Sequence, residues 1–182
     1  MGWWLLGVSI ALAAVVWIYN RLVRARNQVR TAWSDIDVQL LRRHDLVPLL
    51  VDAVKAYASH ERALLENVAT LRSEALATRS PAGLAQLEGQ LEQSLAGLVA
   101  LQEAYPDLKA SDNFLQLQRD LIDVEEQLQY ARRFYNGAVR DLNDAVQRFP
   151  DVLLARLLGF RAAECFAADG DARAAPRLGA AA

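Results

Sequence analysis

The chain has 182 residues, 53% of them hydrophobic, with a formal net charge of −2 and a single cysteine. That near-neutral balance excludes a nucleic-acid binder that works by displacing counterions from many phosphates, and the lone Cys165 excludes an internal disulfide. About 160 residues follow an amino-terminal apolar run, enough for one domain with a real core and too few for two.

The run from Trp3 to Tyr19, WWLLGVSIALAAVVWIY, carries no charged side chain. As a helix its roughly seventeen residues reach about 25 Å, close to the hydrocarbon thickness of a bilayer. Trp3 and Trp4 stand at one end and Trp17 and Tyr19 at the other, where an apolar ring with a polar tip prefers the interface. Arg21, Arg24, Arg26 and Arg30 follow as a basic collar that snorkels toward headgroups. A cleavable signal peptide with Ala11-Leu12-Ala13 as its site fits less well. No Lys or Arg precedes the apolar stretch, and the site falls inside it. The expectation is an uncleaved single span, with the amino terminus outside and the bulk of the chain cytoplasmic.

Beyond the collar the hydrophobic period is helical throughout. From Arg21 to Ala77 a stripe runs through Val29, Trp33, Ile36, Leu40, Val47, Leu50, Val54, Tyr57, Leu64, Val68 and Leu71. Pro48 lies inside it and predicts a kink near His44, because proline removes one N–H and crowds the carbonyl four residues back. With no loop chemistry between Tyr19 and Arg30, the membrane helix is expected to continue into this one. The middle segment, Leu84, Leu87, Leu91, Leu98, Leu101 and Tyr105, predicts a helix from Pro81 to Tyr105 with Ser80 as its cap and Pro106 as its stop. The third, from Phe114 through Leu128 and Tyr135 to Phe149 at strict 3-4 spacing, predicts a helix from Asp112 to Phe149. Pro150 then ends it. The piece DVLLARLLGF places Val152, Leu153, Leu157, Leu158 and Phe160 on or near one face, to cap the bundle or to touch membrane or partner. From Ala167 to Ala182 no period remains, and a disordered tail is expected.

Three strings carry a resemblance: YNRLVRARNQVRTAWSDIDVQLLRRHDLVPLLVDAVKAYASHE from Tyr19 to Glu61, ARRFYNGAVRDLN from Ala131 to Asn143, and FPDVLLARLLGF from Phe149 to Phe160. Together they resemble the LemA family. The resemblance implies a bacterial single-span membrane protein with a cytoplasmic helical bundle and brings no catalytic residue to transfer. Two places depart from the family pattern. Glu126-Gln127-Leu128 stands where a Glu-Asn-x-Ile is usual, and Leu142-Asn143 replaces a second Tyr-Asn.

For chemistry, the candidate is the polar cluster Arg42, Arg43, His44 and Asp45, which interrupts the first stripe at the expected kink. Arg43 falls on the stripe itself, so an acid from the third long helix, Asp123, Glu125 or Glu126, is its expected partner. Such a pair fixes helix register more often than it performs catalysis. Di-metal bundles need Glu-x-x-His, but Leu41 precedes His44 and Tyr57 precedes His60 at that spacing. His60-Glu61 opens like a zinc-protease motif, yet Leu64 occupies the second histidine position. Tyr130, Phe134 and Tyr135 beside Arg132 and Arg133 lie on and around a helix seam rather than on a nucleic-acid stacking face.

The sequence thus predicts an all-α protein: a transmembrane helix continuing into an antiparallel bundle of three long helices, the first kinked near Pro48 so up to four, plus a short C-terminal helix. Residues 1–20 form the anchor, 21–160 the bundle and 161–182 a mostly disordered tail. No catalytic, metal or cofactor site, no nucleic acid and no small-molecule substrate is expected. The partners are the lipid bilayer, further copies of the chain and other membrane proteins. The function expected is a non-enzymatic assembly or adaptor module at the bacterial inner membrane, with lipid organisation or membrane shaping, and regulation of a membrane enzyme, as alternatives.

Overall fold

The computed structural model describes residues 2–166. Six α-helices follow in chain order, with no strand among the described residues: α1 (Gly2–Lys55), α2 (Arg62–Ala77), α3 (Pro81–Ala100), α4 (Pro106–Lys109), α5 (Asp112–Gln147) and α6 (Asp151–Leu157). A single 3-10 turn, Leu101–Glu103, links α3 to α4. The expected tail from Ala167 to Ala182 lies outside the described residues.

Helix α1 runs 54 residues without a break. Its first part is long and apolar enough to cross a membrane and is almost entirely exposed, whereas burial against the rest of the molecule begins at Ile18 and Leu22. The apolar stem and the first bundle helix are therefore one rod. The long first segment does divide in two, but not at Pro48. The break lies at residues 56–61, and the return helix α2 supplies Leu65, Val68 and Leu71 to the core. Helix α1 continues through Pro48 because the carbonyl that proline deprives of its partner, that of His44, accepts a 2.7 Å hydrogen bond from Arg72 Nε on α2.

The middle helix is also shorter than its leucine pattern suggests. It stops at Ala100, and Tyr105 precedes a separate turn of helix, α4, whose Leu108 is fully buried. Ser80 caps α3 by accepting from the Gly83 backbone N–H at 3.1 Å, and Ser111 caps α5 by accepting from that of Phe114 at 3.4 Å. A Cβ at Gly83 would stand 2.7 Å from the capping hydroxyl, which would have to shift to admit one.

Up-down-up-down connectivity packs α1, α2, α3 and α5 as a four-helix bundle. Its core falls into two parts. The half remote from the apolar stem joins Val47, Leu50 and Val54 of α1 to Val68, Leu91, Leu98, Leu108 and Phe114. The half beside the stem joins Leu22, Val29, Ile36 and Leu40 to Leu128, Tyr135, Val139 and Leu142 of α5. There α1 and α5 overhang the shorter α2–α3 hairpin, and α6 with the segment up to Phe166 covers the gap. Gly159, at φ +71°, ends α6 in the left-handed conformation, and the Phe160 N–H closes onto the Ala155 carbonyl at 2.9 Å.

Candidate functional site

Between the two halves of the core lies a layer of charge. Arg43 is 1% exposed and Glu88 0%. Arg43 Nη1 donates to Glu88 Oε2 at 3.0 Å, and the other carboxylate oxygen lies 2.7 Å from His44 Nε2. Arg43 Nη2 pairs with Glu125 of α5 and stands 3.8 Å from Glu92 of α3. Arg132 lies 3.6 Å from Glu92, and Gln129 donates to Glu125 at 3.1 Å. With Arg72 on the His44 carbonyl, all four bundle helices meet at one level.

Of the four residues expected to cluster, only Arg43 and His44 enter this layer. Arg42 and Asp45 are exposed and line a surface groove of about 510 Å³ opposite Asp123 and Glu126. The four residues make about one turn of α1, in which adjacent positions differ by about 100° in direction, so two of the four must point away. Among the acids expected as Arg43's partner, Glu125 is correct, while Asp123 and Glu126 face the outer groove instead.

Glu88, the most buried acid of the layer, escaped the sequence reading although its position was legible. It occupies the seam Leu84, Glu88, Leu91, Leu95, Leu98, where an acid among leucines marks an inward charge. Arg72 was missed because a side chain that repairs a proline vacancy on another helix has no signature of its own.

Electrostatics fit a paired structural lock. Burial lowers the pKa of the Arg43 guanidinium, and its charge is retained by the facing carboxylates of Glu88 and Glu92. Burial alone would raise the Glu88 carboxyl. The His44 hydrogen bond and the charges of His44 and Arg43 outweigh it, leaving the pKa below the ordinary 4.5. A depressed carboxylate contributes stability above its unfolded-state pKa and loses it as pH falls through the folded-state value. Acidification from about pH 6 to about pH 3 will therefore destabilise the wild type more than Glu88→Gln, so their urea midpoints converge. For Arg72, an alanine leaves the His44 carbonyl orphaned and will cost about 1–3 kcal/mol. Combining Arg72→Ala with Pro48→Ala returns an N–H to that carbonyl and recovers most of the loss in a urea-unfolding cycle.

A second constellation holds the C-terminal segment. Asn136 donates to the Phe166 carbonyl at 2.9 Å and accepts from its N–H at 2.8 Å. Asn143 does the same for Ala163, at 3.0 and 2.8 Å, and the Tyr135 hydroxyl donates to the Glu164 carbonyl at 2.8 Å. Seven helical residues rise about 10.5 Å and three extended residues span about 10 Å, so the two amides match this backbone in register. The Phe166 ring is buried against Trp33 at 6.2 Å and under the Arg132 guanidinium at 5.2 Å.

The collar is less free than its sequence implies. Arg21 pairs with the buried Asp151 at 3.1 Å and lies over Trp17, and Arg26 stacks on Phe160 at 5.0 Å. Arg24, Arg26 and Arg30 are exposed, and Arg21 is half-buried. Trp3, Trp4, Trp17 and Tyr19 are all exposed, with Tyr19 also meeting the edge of Phe160 at 6.5 Å. In the last helix Asp151 and Ala155 pack inward, and Leu153, Leu157 and Leu158, on the face expected to cap the bundle or to touch membrane or partner, are exposed.

The family model for the LemA family matches residues 32–179. Among curated relatives, magnetosome protein MamQ 2 of Paramagnetospirillum magneticum is 22% identical over 187 aligned positions, covering 88% of this chain and 69% of the relative. Magnetosome protein MamQ of Magnetospirillum gryphiswaldense is 24% identical, covering 81% of this chain and 64% of its own. Protein LemA of Metamycoplasma hominis is 28% identical over 135 positions, covering 71% and 60%. Together with a bundle that a long apolar helix leads into, the match over most of the sequence shows that this chain belongs to the LemA family.

Proposed function

We propose that the protein is a non-enzymatic assembly or adaptor module, held at the bacterial inner membrane by its apolar stem with the bundle on the cytoplasmic side. The basic collar after the stem supports that orientation, since short flanks rich in arginine stay cytoplasmic. Continuity of α1 couples stem and bundle, so a partner bound to the bundle is held at a set position relative to the bilayer.

One observation carries the associative reading. Midway along the α1/α5 face, exposed Val38, Tyr130 and Phe134 line a shallow groove of about 370 Å³. Grouped exposed aromatics mark association surfaces, and aromatic anchors carry much of the energy in such contacts. The occupant is a second copy of the chain or another membrane protein. In membrane fragments extracted with their native lipid, the wild type is expected to run as a complex larger than one chain. Tyr130→Ala combined with Phe134→Ala should release the single-chain mass while its unfolding free energy in urea stays within about 0.5 kcal/mol of wild type. A wild type that is already a single chain, or a complex that survives both substitutions, contradicts the proposal.

A further inference from the structure

We infer that α6 and the turn before it lie in the membrane interface beside the stem, with the apolar face that the bundle leaves uncovered dipped among the lipid headgroups. This rests on the stem spanning a bilayer. Phe149 is 75% exposed, Leu153 62%, Leu157 78% and Leu158 47%, while the opposite side of the helix is pinned inward through Asp151 and Ala155. A short helix with one face bound, Leu153 and Leu157 outward and Leu158 exposed at its C-cap has the division of an interfacial helix.

Its level along the molecule identifies the occupant. Helix α5 runs back toward the stem, and its C-cap Arg148 shares a cleft with Arg21 and Arg24, the first charges after the apolar run. The chain turns at that height. Asp151 is held by Arg21, and Phe160 by Tyr19 and Arg26, so both ends of the α6 segment are tied to the residues at which α1 leaves the lipid. The uncovered leucines are thus continuous with the surface of the stem rather than with the remote end of the bundle. Arg24, Arg148, Arg156 and Arg161 are exposed around them and match anionic headgroups, with Asp141 and Asp144 the acids of the adjoining cleft.

The test uses the full chain in vesicles of phosphatidylethanolamine and phosphatidylglycerol. Spin labels are placed one at a time in a Cys165→Ser background through Leu157→Cys, Ile10→Cys and Gln93→Cys. Relaxation by oxygen, which concentrates in lipid, is compared with relaxation by a water-soluble nickel complex. The expected result is a several-fold higher oxygen-to-nickel ratio at positions 157 and 10 than at 93. Lipid contact at 10 with an aqueous ratio at 157 overturns the inference and leaves the stem in place. An aqueous ratio at 10 removes the stem and the inference together. Shielding of 157 from both reagents means that protein covers the face, and also overturns it.

Discussion

Glu88→Ala is expected to lower the stability of the bundle by about 3–5 kcal/mol, because it leaves the Arg43 guanidinium and the His44 ring buried without the carboxylate that faces both. For a chain of this size that is a fall of roughly 6–20 °C in melting temperature. The cost is that of breaking the set, not the worth of having it. Replacing all three by apolar residues, as Arg43→Met, His44→Leu and Glu88→Leu, removes the unmatched charge and is expected to recover most of the loss, since Glu125 lies near enough to the surface to turn to water. Thermal melts of both variants decide the point. A triple variant as unstable as Glu88→Ala would mean that the layer stabilises through more than mutual neutralisation.

Phe166→Ala is expected to undock the C-terminal segment. Truncating a fully buried aromatic costs about 3–5 kcal/mol, and here the loss falls on a short segment rather than on the bundle. Hydrogen exchange should then quicken at Ala163 and Phe166, whose N–H groups are held by the Asn143 and Asn136 amides, while the N–H groups of α5 around Leu128 stay protected. Uniform loss of protection along α5 would show instead that the segment is an integral part of the bundle core.

Much of the helical plan was legible because period and punctuation agreed. Ser80 and Pro81 marked the start of α3 by chemistry that operates locally: the serine accepts from a free N–H group, and the proline has none to leave unpaired. Pro48 could not be read in that local way. Its effect on α1 depends on whether the freed His44 carbonyl finds another donor, and that donor, Arg72, is 28 residues away in the chain. The polar layer was half visible. Arg43 stood out on an apolar stripe, but the same test applied to α3 would have found Glu88 between Leu84 and Leu91. Arg42 and Asp45 joined the expected cluster through adjacency in sequence, which on a helix places neighbours on different faces.

The Tyr-Asn pair at 135 and 136 and the solitary Asn143 acquire a reason only in three dimensions. Seven residues apart on α5, the two asparagines read successive points of an extended backbone. The tyrosine absent at 142 is not missed there, because Leu142 faces the core. The collar shows a similar limit: charge pattern marked it as a basic flank to the apolar run, but not that Arg21 and Arg26 also hold the end of the chain.

The proposal that this LemA-family chain acts by association at the membrane meets its most direct test in native bacterial membranes, with a photo-crosslinking amino acid in place of Phe134 and another in place of Gln93. Adducts joining the chain to a second polypeptide, strong from position 134 and weak from position 93, are the predicted result. A position 134 that yields only the uncrosslinked chain would contradict it.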